Sequence, residues 1–359
     1  MCHVSLGVTL AEAQKPPTLN DVAELAGVSR ATASRALAGY GRISPQTVEL
    51  VQETARKLGY RPNEVARAMR AGKTKTIGLV VISDFTNAFF DRATKAIIDA
   101  AKRQGYQTLV SHTDERIENE RQAVKTLVEK RVDGLILVPS SDSDHEHLAK
   151  SHLGETPIVL FDRRLENLKI PAVTTGDYEG ALSAVNHALS RGHRSFAFIV
   201  AVPGIQGSTF KRPHIPISTV VDRTNGFEDG IKGKNAKSKM VFCEDSQAGA
   251  EAAVETLLTA QDPPTVFITS NNDMLLALLR VAGKLGIAIG KDISVISFDD
   301  SPWAAAMAPA ITVVSRPVDE LGEVAVEILL KQMSGAKSQS SITLPTSLIE
   351  RDSVRAIDQ

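Results

Sequence analysis

Residues 18–76 read TLNDVAELAGVSRATASRALAGYGRISPQTVELVQETARKLGYRPNEVARAMRAGKTKT. The pattern predicts a helix-turn-helix, then a third helix, and finally a short basic helix that runs into a linker. Asn20 is expected to cap the first helix, and Gly27 allows the left-handed backbone that a tight turn needs. Ser29 is a good N-cap for the second helix, which we expect to end near Leu37. Such an arrangement places one helix in a DNA groove.

The second helix supplies the candidate DNA-reading residues, because its N-terminal part meets base edges in a helix-turn-helix. An arginine can bond bidentately to guanine, and an alanine can touch a thymine methyl group. Hydroxyl side chains suit phosphate contacts, which position the protein without specifying sequence. The candidates are Arg30, Ala31, Ser34 and Arg35 for bases, and Ser29 and Thr32 for phosphates. The alternative is a helical hairpin without function; the turn, the serine cap and the surplus of arginine count against it.

The basic segment at residues 61–76 predicts a short helix that Asn63 caps and that carries Arg67 and Arg70. Alone it is too short to be stable in water, but it could persist when docked on DNA and against a copy of itself. Met69 is the apolar side chain placed to wedge between base steps of a minor groove. The alternative is a plain interdomain linker with incidental helicity.

The composition describes an ordinary soluble globular protein of two or three domains, with 43% hydrophobic and 23% charged residues in 359 positions. The net charge of −1 conceals an asymmetry. Residues 18–75 contain ten Lys or Arg against five Asp or Glu, a balance of +5 that leaves −6 for the remainder. A basic end on a mildly acidic body fits phosphate contact by that end only.

Cysteine usage favours a reducing cytoplasm, because Cys2 and Cys243 are too far apart in sequence to suggest a disulfide framework or a metal site. No apolar run approaches the roughly 18 residues that a membrane span needs. Residues 1–17 have no basic start before their apolar stretch, so we expect a disordered tail and not a signal peptide.

The rest of the chain alternates strands and helices, which predicts an α/β fold with parallel sheets covered on both faces. The number of elements favours two doubly wound sheets over one. The predicted strands are Ile77–Ile82, Thr108–Val110, Leu135–Val138, Ile158–Phe161, Phe196–Val200, Val266–Ile268 and Val295–Phe298. The predicted helices include Phe89–Gln104, Arg116–Lys130, Tyr178–Leu189, Ala248–Ala260 and Met274–Leu285.

Polar and aromatic side chains follow several of these strands directly, where ligands bind in open sheets of this type. They include Asn87, Phe89 and Phe90, the pair Asp162 and Arg163, Asn271, and Asp299. A sugar needs carboxylates and amides for its hydroxyls, arginine donors, and flat rings against its C–H faces, and this set supplies all three. The alternative is that the phenylalanines belong to the core and the acids to surface loops or helix caps.

The run from Thr18 to Gly78 closely resembles the DNA-binding head and hinge of the LacI/GalR regulators, and the resemblance continues to the C-terminus. It implies a small all-α head at 18–62, a hinge at 63–75, and a periplasmic binding protein-like core at 76–359. The core would comprise lobe 1 at about 76–174 plus 301–335, and lobe 2 at about 175–300 plus 336–359.

The resemblance also implies an effector site between the lobes. Asn87, Phe89 and Phe90 match the first-lobe binding motif, and Asp162 and Arg163 match the pair that holds sugar hydroxyls. Arg223 matches the arginine before the family's Gly-Phe, and Asn271 and Asp299 match the amide and carboxylate of the second lobe. The set looks most like a pentose-type site.

Three departures from the family pattern bear on this site. Arg316 stands where the family often has glutamine; it would favour an anionic ligand if it points inward, and otherwise it is a surface arginine. Asn272 replaces a frequent aspartate. The loop at 201–222 is longer than expected and could be a lid, a partner surface or neither.

Two other classes of function were weighed. A periplasmic sugar-binding protein without a regulatory role shares the core but has no use for residues 18–76. An enzyme is disfavoured because no GxSxG, P-loop or HExxH motif occurs. His145 and His147 could suggest a metal, but their spacing points to a solvated loop. We therefore expect no cofactor and no metal.

The resulting expectation is a cytoplasmic homodimeric repressor that binds a near-palindromic double-stranded operator, with a sugar or sugar derivative bound between the core lobes controlling its operator affinity. The C-terminal ERDSVRAIDQ lacks the leucine heptads of tetrameric relatives, which favours a dimer.

Overall fold

The computed structural model describes residues 16–61, 73–82, 87–336 and 340–357. The chain divides into two compact units, one ending at Thr74 and the other beginning at Lys75. The predicted hinge residues Asn63, Arg67, Met69 and Arg70 lie outside the described residues, as does nearly all of the predicted tail.

Three helices form the described head: α1 at Leu19–Leu25, α2 at Arg30–Ala38 and α3 at Pro45–Leu58. Thr18, and not Asn20 as predicted, caps α1. Its backbone N–H donates to Asp21 Oδ2 at 2.6 Å, and its hydroxyl oxygen accepts from the Asp21 N–H at 3.4 Å. This reciprocal capping box satisfies two free N–H groups, whereas Asn20 lies two residues later, inside the first turn of the helix.

The head is held by a small apolar core in which Val22, Ala33, Ala36 and Val51 are almost completely buried. Because alanines line the inner face of α2, this helix lies close to α1 and α3, and its outer face stays free. Gly39 ends α2 with φ of 70°, a left-handed conformation that glycine adopts without strain.

The described core contains two sheets, each covered by helices on both faces. The first sheet has six strands in the order β12-β5-β4-β3-β1-β2. Its strands are β1 Thr76–Val81, β2 Gln107–His112, β3 Gly134–Leu137, β4 Ile158–Phe161, β5 Ala172–Thr175 and β12 Ile342–Leu344. All of its pairings are parallel, and the central strands are buried along their length.

The second sheet has, within the described residues, seven strands in the order β13-β11-β10-β9-β6-β8-β7. Its strands are β6 Ser195–Ala201, β7 Ser208–Thr209, β8 Lys237–Cys243, β9 Val266–Thr269, β10 Ser294–Phe298, β11 Thr312–Ser315 and β13 Ser347–Ile349. Only the edge strands β7 and β13 pair in the antiparallel direction. The prediction of two parallel sheets is confirmed.

The core helices lie in the crossovers between parallel strands, as βαβ geometry requires. They are α4 Ala88–Arg103, α5 Ile117–Glu129, α6 Lys150–Leu153, α7 Asp177–Ser190, α8 Ser218–Ile231, α9 Gln247–Leu258, α10 Asn272–Leu285, α11 Pro302–Ala306 and α12 Val318–Met333, with a 3₁₀ turn at Glu146–Leu148. Separate apolar clusters fill the space between each sheet and its helices.

The predicted boundaries of the two lobes need correction at two strands. β11 was assigned to lobe 1 but pairs with β10 in the second sheet, and β12 was assigned to lobe 2 but pairs with β5 in the first. The chain therefore crosses between lobes after β5, after β11 and after β12. β11 and β12 are short strands that lie far in sequence from most of the sheet they join. The order of elements along the chain therefore does not reveal to which sheet each belongs.

Candidate functional site

A cavity of about 250 Å³ lies between the two lobes at the carboxyl ends of the strands. Residues of both lobes line it, and they include all of the predicted effector-binding residues except Phe89. The predicted residues in its wall are Asn87, Phe90, Asp162, Arg163, Arg223, Asn271, Asp299 and Arg316. The cavity occupies the place where open α/β sheets bind ligands.

Arg316 joins the two lobes at the base of this cavity. Its Nε donates to Asp299 Oδ1 at 2.6 Å, and its Nη1 donates to Asp162 Oδ1 at 2.7 Å. Asp162 follows β4 of lobe 1, whereas Asp299 follows β10 of lobe 2. The guanidinium lies 3.3 Å from the ring centroid of Phe89, in cation–π contact. Arg316 thus faces inward and is not a surface arginine.

The charge of Arg316 is fully compensated by the protein. Burial acts to lower the pKa of this guanidinium, but the carboxylates of Asp299 and Asp162 outweigh burial and raise it. Because two aspartates already hold the one cation, Arg316 offers no net positive charge to a ligand. The sequence argument from an inward Arg316 to an anionic effector therefore fails.

Both aspartates that hold Arg316 have left-handed backbone conformations, with φ of 65° at Asp162 and 72° at Asp299. Non-glycine residues adopt this region infrequently, and such strain concentrates at ligand sites. Each lies directly after the last residue of a buried strand, and the turn aims its carboxylate toward the lobe interface. Each lobe thus presents a left-handed aspartate at the end of a strand to the cavity.

Two further arginines are fixed in the cavity wall. Arg163 donates through Nη1 to the carbonyl oxygen of Pro139 at 2.8 Å and through Nη2 to Glu115. Arg223 donates through Nε to Asp177 Oδ1 at 2.6 Å and lies 4.3 Å from the ring centroid of Phe298. Their side chains are preorganised by protein contacts, so a ligand meets rigid donors and acceptors.

Asn87 and Asn271 combine helix capping with a place on the cavity wall. Asn87 Oδ1 accepts from the Phe89 N–H at 3.0 Å at the start of α4. Asn271 Oδ1 accepts from the Met274 N–H at 3.0 Å at the start of α10, and its Nδ2 donates to Asp245 Oδ1 at 3.0 Å. The capping alternative and the ligand-binding prediction are therefore compatible for these two residues.

The two phenylalanines separate into different roles. Phe89 is 3% exposed and packs edge-on against Phe90, with ring centroids 4.9 Å apart. Phe89 belongs to the core beneath Arg316, whereas Phe90 reaches the cavity wall and can offer it a flat apolar surface.

Four acidic residues of the cavity wall escaped the sequence analysis: Asp114, Glu115, Asp245 and Asp273. Asp114 and Glu115 follow β2, which was predicted too short, and Asp245 follows β8, which was not predicted at all. The rule that ligand residues follow strands would have found Asp114, Glu115 and Asp245 once those strands were placed.

The long loop at 201–222 contributes directly to the cavity, which Pro203 and Ile217 line from its two ends. Between them, His214 approaches Asp142 of lobe 1 to 3.3 Å. Arg212 turns away from the cavity and donates to Glu228 at 2.9 Å. The loop therefore walls one side of the site and touches the opposite lobe.

The surroundings of His147 differ from those predicted. His147 is buried and its Nε2 lies 2.8 Å from Glu120 Oε1, so the prediction of a solvated loop is wrong for this residue. No cluster of three His, Cys, Asp or Glu that could hold a metal occurs among the described residues. No helix of the described ranges is long and apolar enough to cross a membrane.

In the head, the predicted DNA-reading residues lie on the face of α2 opposite its buried alanines. Arg30, Ala31 and Arg35 are exposed, and Thr32 and Ser34 are partly exposed. Ser29 caps the helix, since its hydroxyl oxygen accepts from the Thr32 N–H at 3.1 Å. This leaves an accessible helix N-terminus with two arginines on one face, the geometry that enters a major groove.

Comparison with known proteins agrees with both units. Residues 18–63 match the model of the bacterial regulatory proteins of the lacI family, and residues 185–354 match that of a periplasmic binding protein-like domain. Catabolite control protein A of Priestia megaterium is 30% identical over 340 residues, covering 94% of this chain and 99% of that protein. The ribose operon repressor of Halalkalibacterium halodurans is 29% identical over 341 residues, covering 94% of this chain and 97% of that protein.

Solved structures show the same architecture. The Lac repressor dimer bound to operator and the anti-inducer ONPF superposes with a TM-score of 0.81 at 25% identity, covering 95% of this chain and all of that one. A LacI family regulator from Enterococcus faecium with bound ribose gives a TM-score of 0.68 at 25% identity, covering 79% of this chain and all of that one.

The chain belongs to the LacI family of bacterial transcriptional regulators, and the resemblance seen in the sequence is confirmed. It is a DNA-binding regulator with a periplasmic binding protein-like core. Its relatives in this comparison are transcriptional repressors and regulators, not enzymes.

Proposed function

We propose that this protein is a repressor that binds a near-palindromic operator as a homodimer and that a small polyhydroxyl effector, a sugar or sugar derivative, controls its operator affinity. The effector binds in the cavity between the lobes. We expect the protein to act in the cytoplasm, where operator DNA lies.

The observation that carries the effector site is the arrangement around Arg316. One guanidinium holds Asp162 of lobe 1 and Asp299 of lobe 2, and it does so beside a cavity that both lobes line. A ligand that bonds either aspartate changes the contacts on which lobe closure depends. Lobe closure is therefore coupled to occupancy, which is what an effector-controlled regulator requires.

The DNA side of the proposal rests on α2. In a dimer whose two heads are related by a two-fold axis, the half-sites lie about 34–36 Å apart. The exposed Arg30 and Arg35 of each head then enter successive major grooves. The coupling between effector and operator is expected to be ~1–3 kcal/mol, as is typical of allosteric regulators. The proposed hinge helix with Met69 would transmit it.

The test begins with operator selection from a random duplex library, followed by fluorescence anisotropy with the selected duplex. Arg35→Ala should weaken specific binding by about 1–3 kcal/mol per half-site and leave effector binding intact. Lys57→Ala is the matched control, because Lys57 is an exposed cation on α3 that pairs with Glu53. Equal losses in both variants would show that net charge, and not base reading, drives binding.

The effector side is tested by Asp299→Asn, which should leave operator binding intact and abolish its response to a sugar that affects the wild type. An unchanged response would remove Asp299 from the site. The second candidate function is that of a sugar-binding protein without a regulatory role. Failure to select any duplex from the library would favour it.

A further inference from the structure

The charge of the cavity wall goes beyond what a neutral sugar needs. Among the described residues, six carboxylates line the cavity against three guanidiniums, and no lysine or histidine joins them. The three arginines are paired with protein carboxylates, as described above. The wall therefore keeps an excess of negative charge after all of its cations are compensated.

Three of the six carboxylates have no arginine partner in the described part of the chain: Asp114 on lobe 1, which lies 3.1 Å from His112 Nδ1, and Asp245 and Asp273 on lobe 2. Within the described ranges, neither Asp245 nor Asp273 has an ion pair with lysine, arginine or histidine, and Asp245 accepts only the amide N–H of Asn271 at 3.0 Å. Desolvation within the cleft raises the pKa of both carboxyls, although Asp245 remains exposed and Asp273 half-buried. These are acceptors that the protein leaves without a cation.

Glu115 lines the same cavity from lobe 1, where Arg163 Nη2 donates to it. Burial raises the pKa of Glu115; the charge of Arg163 opposes the rise, and the charge of Asp245 adds to it. Because Arg163 pairs with Glu115, it leaves Asp245 and Asp273 without a cation in the described cavity wall. A positive group beside these two carboxylates would offset the negative excess of the wall.

An independent feature points to an oxygen-bearing ligand at the same place. Arg163 is 6% exposed, and its buried Nε has no hydrogen-bond partner, with the nearest carboxylate oxygen of Asp162 at 3.8 Å. Buried donors of this kind are normally satisfied. A hydroxyl or ring oxygen of a ligand in the cavity that Arg163 lines would supply the acceptor.

We propose that the effector is an aminated polyhydroxyl compound of the amino-sugar class, whose ammonium group lies beside Asp245 and Asp273 of lobe 2. Its oxygens then meet Arg163 and the aspartates around Arg316. An anionic sugar is disfavoured by the wall charge, and a neutral sugar leaves the negative excess of the wall without a cation. This inference rests on the proposed function, because it takes the cavity as the effector site.

The experiment uses matched sugars that differ in charge at one position. Binding of glucose, glucosamine, N-acetylglucosamine and glucuronate to the full chain is measured by calorimetry, and the galactose and mannose series follow. At least one amine should bind about tenfold or more tightly than its neutral and N-acetylated counterparts. Its advantage should shrink with added salt, since the charges that attract it are partly accessible to water.

Variants test the position of the charge. Asp245→Asn keeps the acceptor for Asn271 but removes the charge, and it should reduce the ratio of amine affinity to neutral-sugar affinity by about tenfold. Asp262→Asn is the matched control, because Asp262 is an exposed acid that pairs with Lys237 on the surface. An equal effect in both variants would overturn the proposed placement.

The inference and the proposed function fail separately. If neutral or acidic sugars bind and change operator affinity while amines bind no better, the amino-sugar class is rejected and the regulator stands. Absence of binding by every amine at millimolar concentration also rejects the inference. Failure of the chain to bind any selected operator rejects the proposed function, whatever the sugars do.

Discussion

Replacement of Arg316 by glutamine should destabilise the core by about 3–5 kcal/mol, because it leaves two buried carboxylates without their cation. The Arg316 side chain is 4% exposed, and it bonds Asp299 and Asp162 at 2.6 and 2.7 Å. Since each kcal/mol shifts the midpoint of a large domain by about 2–4 °C, the thermal midpoint should fall by roughly 6–20 °C.

The loss should depend on pH in a defined direction. Burial raises the pKa of Asp162, and the charge of Arg316 is the strongest influence opposing that rise. In the variant this carboxyl therefore has a folded pKa further above its unfolded value. Such a group destabilises the folded state at high pH, and the penalty shrinks as pH falls through the folded pKa. The gap between variant and wild type should be smaller at about pH 5 than at about pH 8.

Urea unfolding followed by circular dichroism at both pH values measures the free energy of unfolding. Arg92→Gln is the matched control, because Arg92 and its partner Asp319 are more than half exposed and such a pair contributes about 0–1 kcal/mol. If Arg316→Gln costs no more than the control, or if its cost does not change with pH, the central role of Arg316 between the lobes is refuted.

Three further outcomes follow from local geometry and can be read by the same unfolding assay. Gly226→Ala should cost about 1–3 kcal/mol or more, because an added Cβ would lie 2.2 Å from the carbonyl oxygen of Tyr178 where α7 and α8 meet. Gly283→Ala, in helix α10 with nothing within 4 Å of the added Cβ, should instead stabilise by about 0.5–1 kcal/mol. Burial lowers the pKa of His193 to about 4 from 6.5, so the wild type should lose up to about 1.4 kcal/mol per pH unit from about pH 6.5 down to 4, and His193→Gln should lack that part of the loss. Equal stabilities of the two glycine variants, or equal acid sensitivity of His193→Gln and wild type, would contradict these expectations.

The elements that sequence predicted best are those whose local pattern alone decides them. β4 was predicted to the residue, since Ile158–Phe161 is a continuous apolar run buried on both faces. β8 was missed because its first four residues, Lys237 to Met240, are exposed or half-exposed at the edge of the sheet. Pattern reading fails where a strand lacks a buried face over part of its length.

The site shows the same division between local and long-range information. Asp162 and Asp299 could be identified because each follows a recognisable strand. The pairing of both with Arg316 could not, because it joins residues 154 and 17 positions apart in sequence. Asp245 could not be identified because the strand that precedes it, β8, was not predicted. Electrostatic balance at a cleft is a sum over both lobes, and no local motif contains it.

The three crossings between lobes have a consequence at the level of the gene. Since β12 completes the first sheet and β13 the second, the codons for residues 342–349 encode an edge strand of both. A nonsense codon before this stretch would remove an edge strand from each lobe, and no single cut in the coding sequence separates the codons of one lobe from those of the other. The core is therefore one unit for selection, for truncation screens and for split-reporter designs, because none of them acts on one lobe alone.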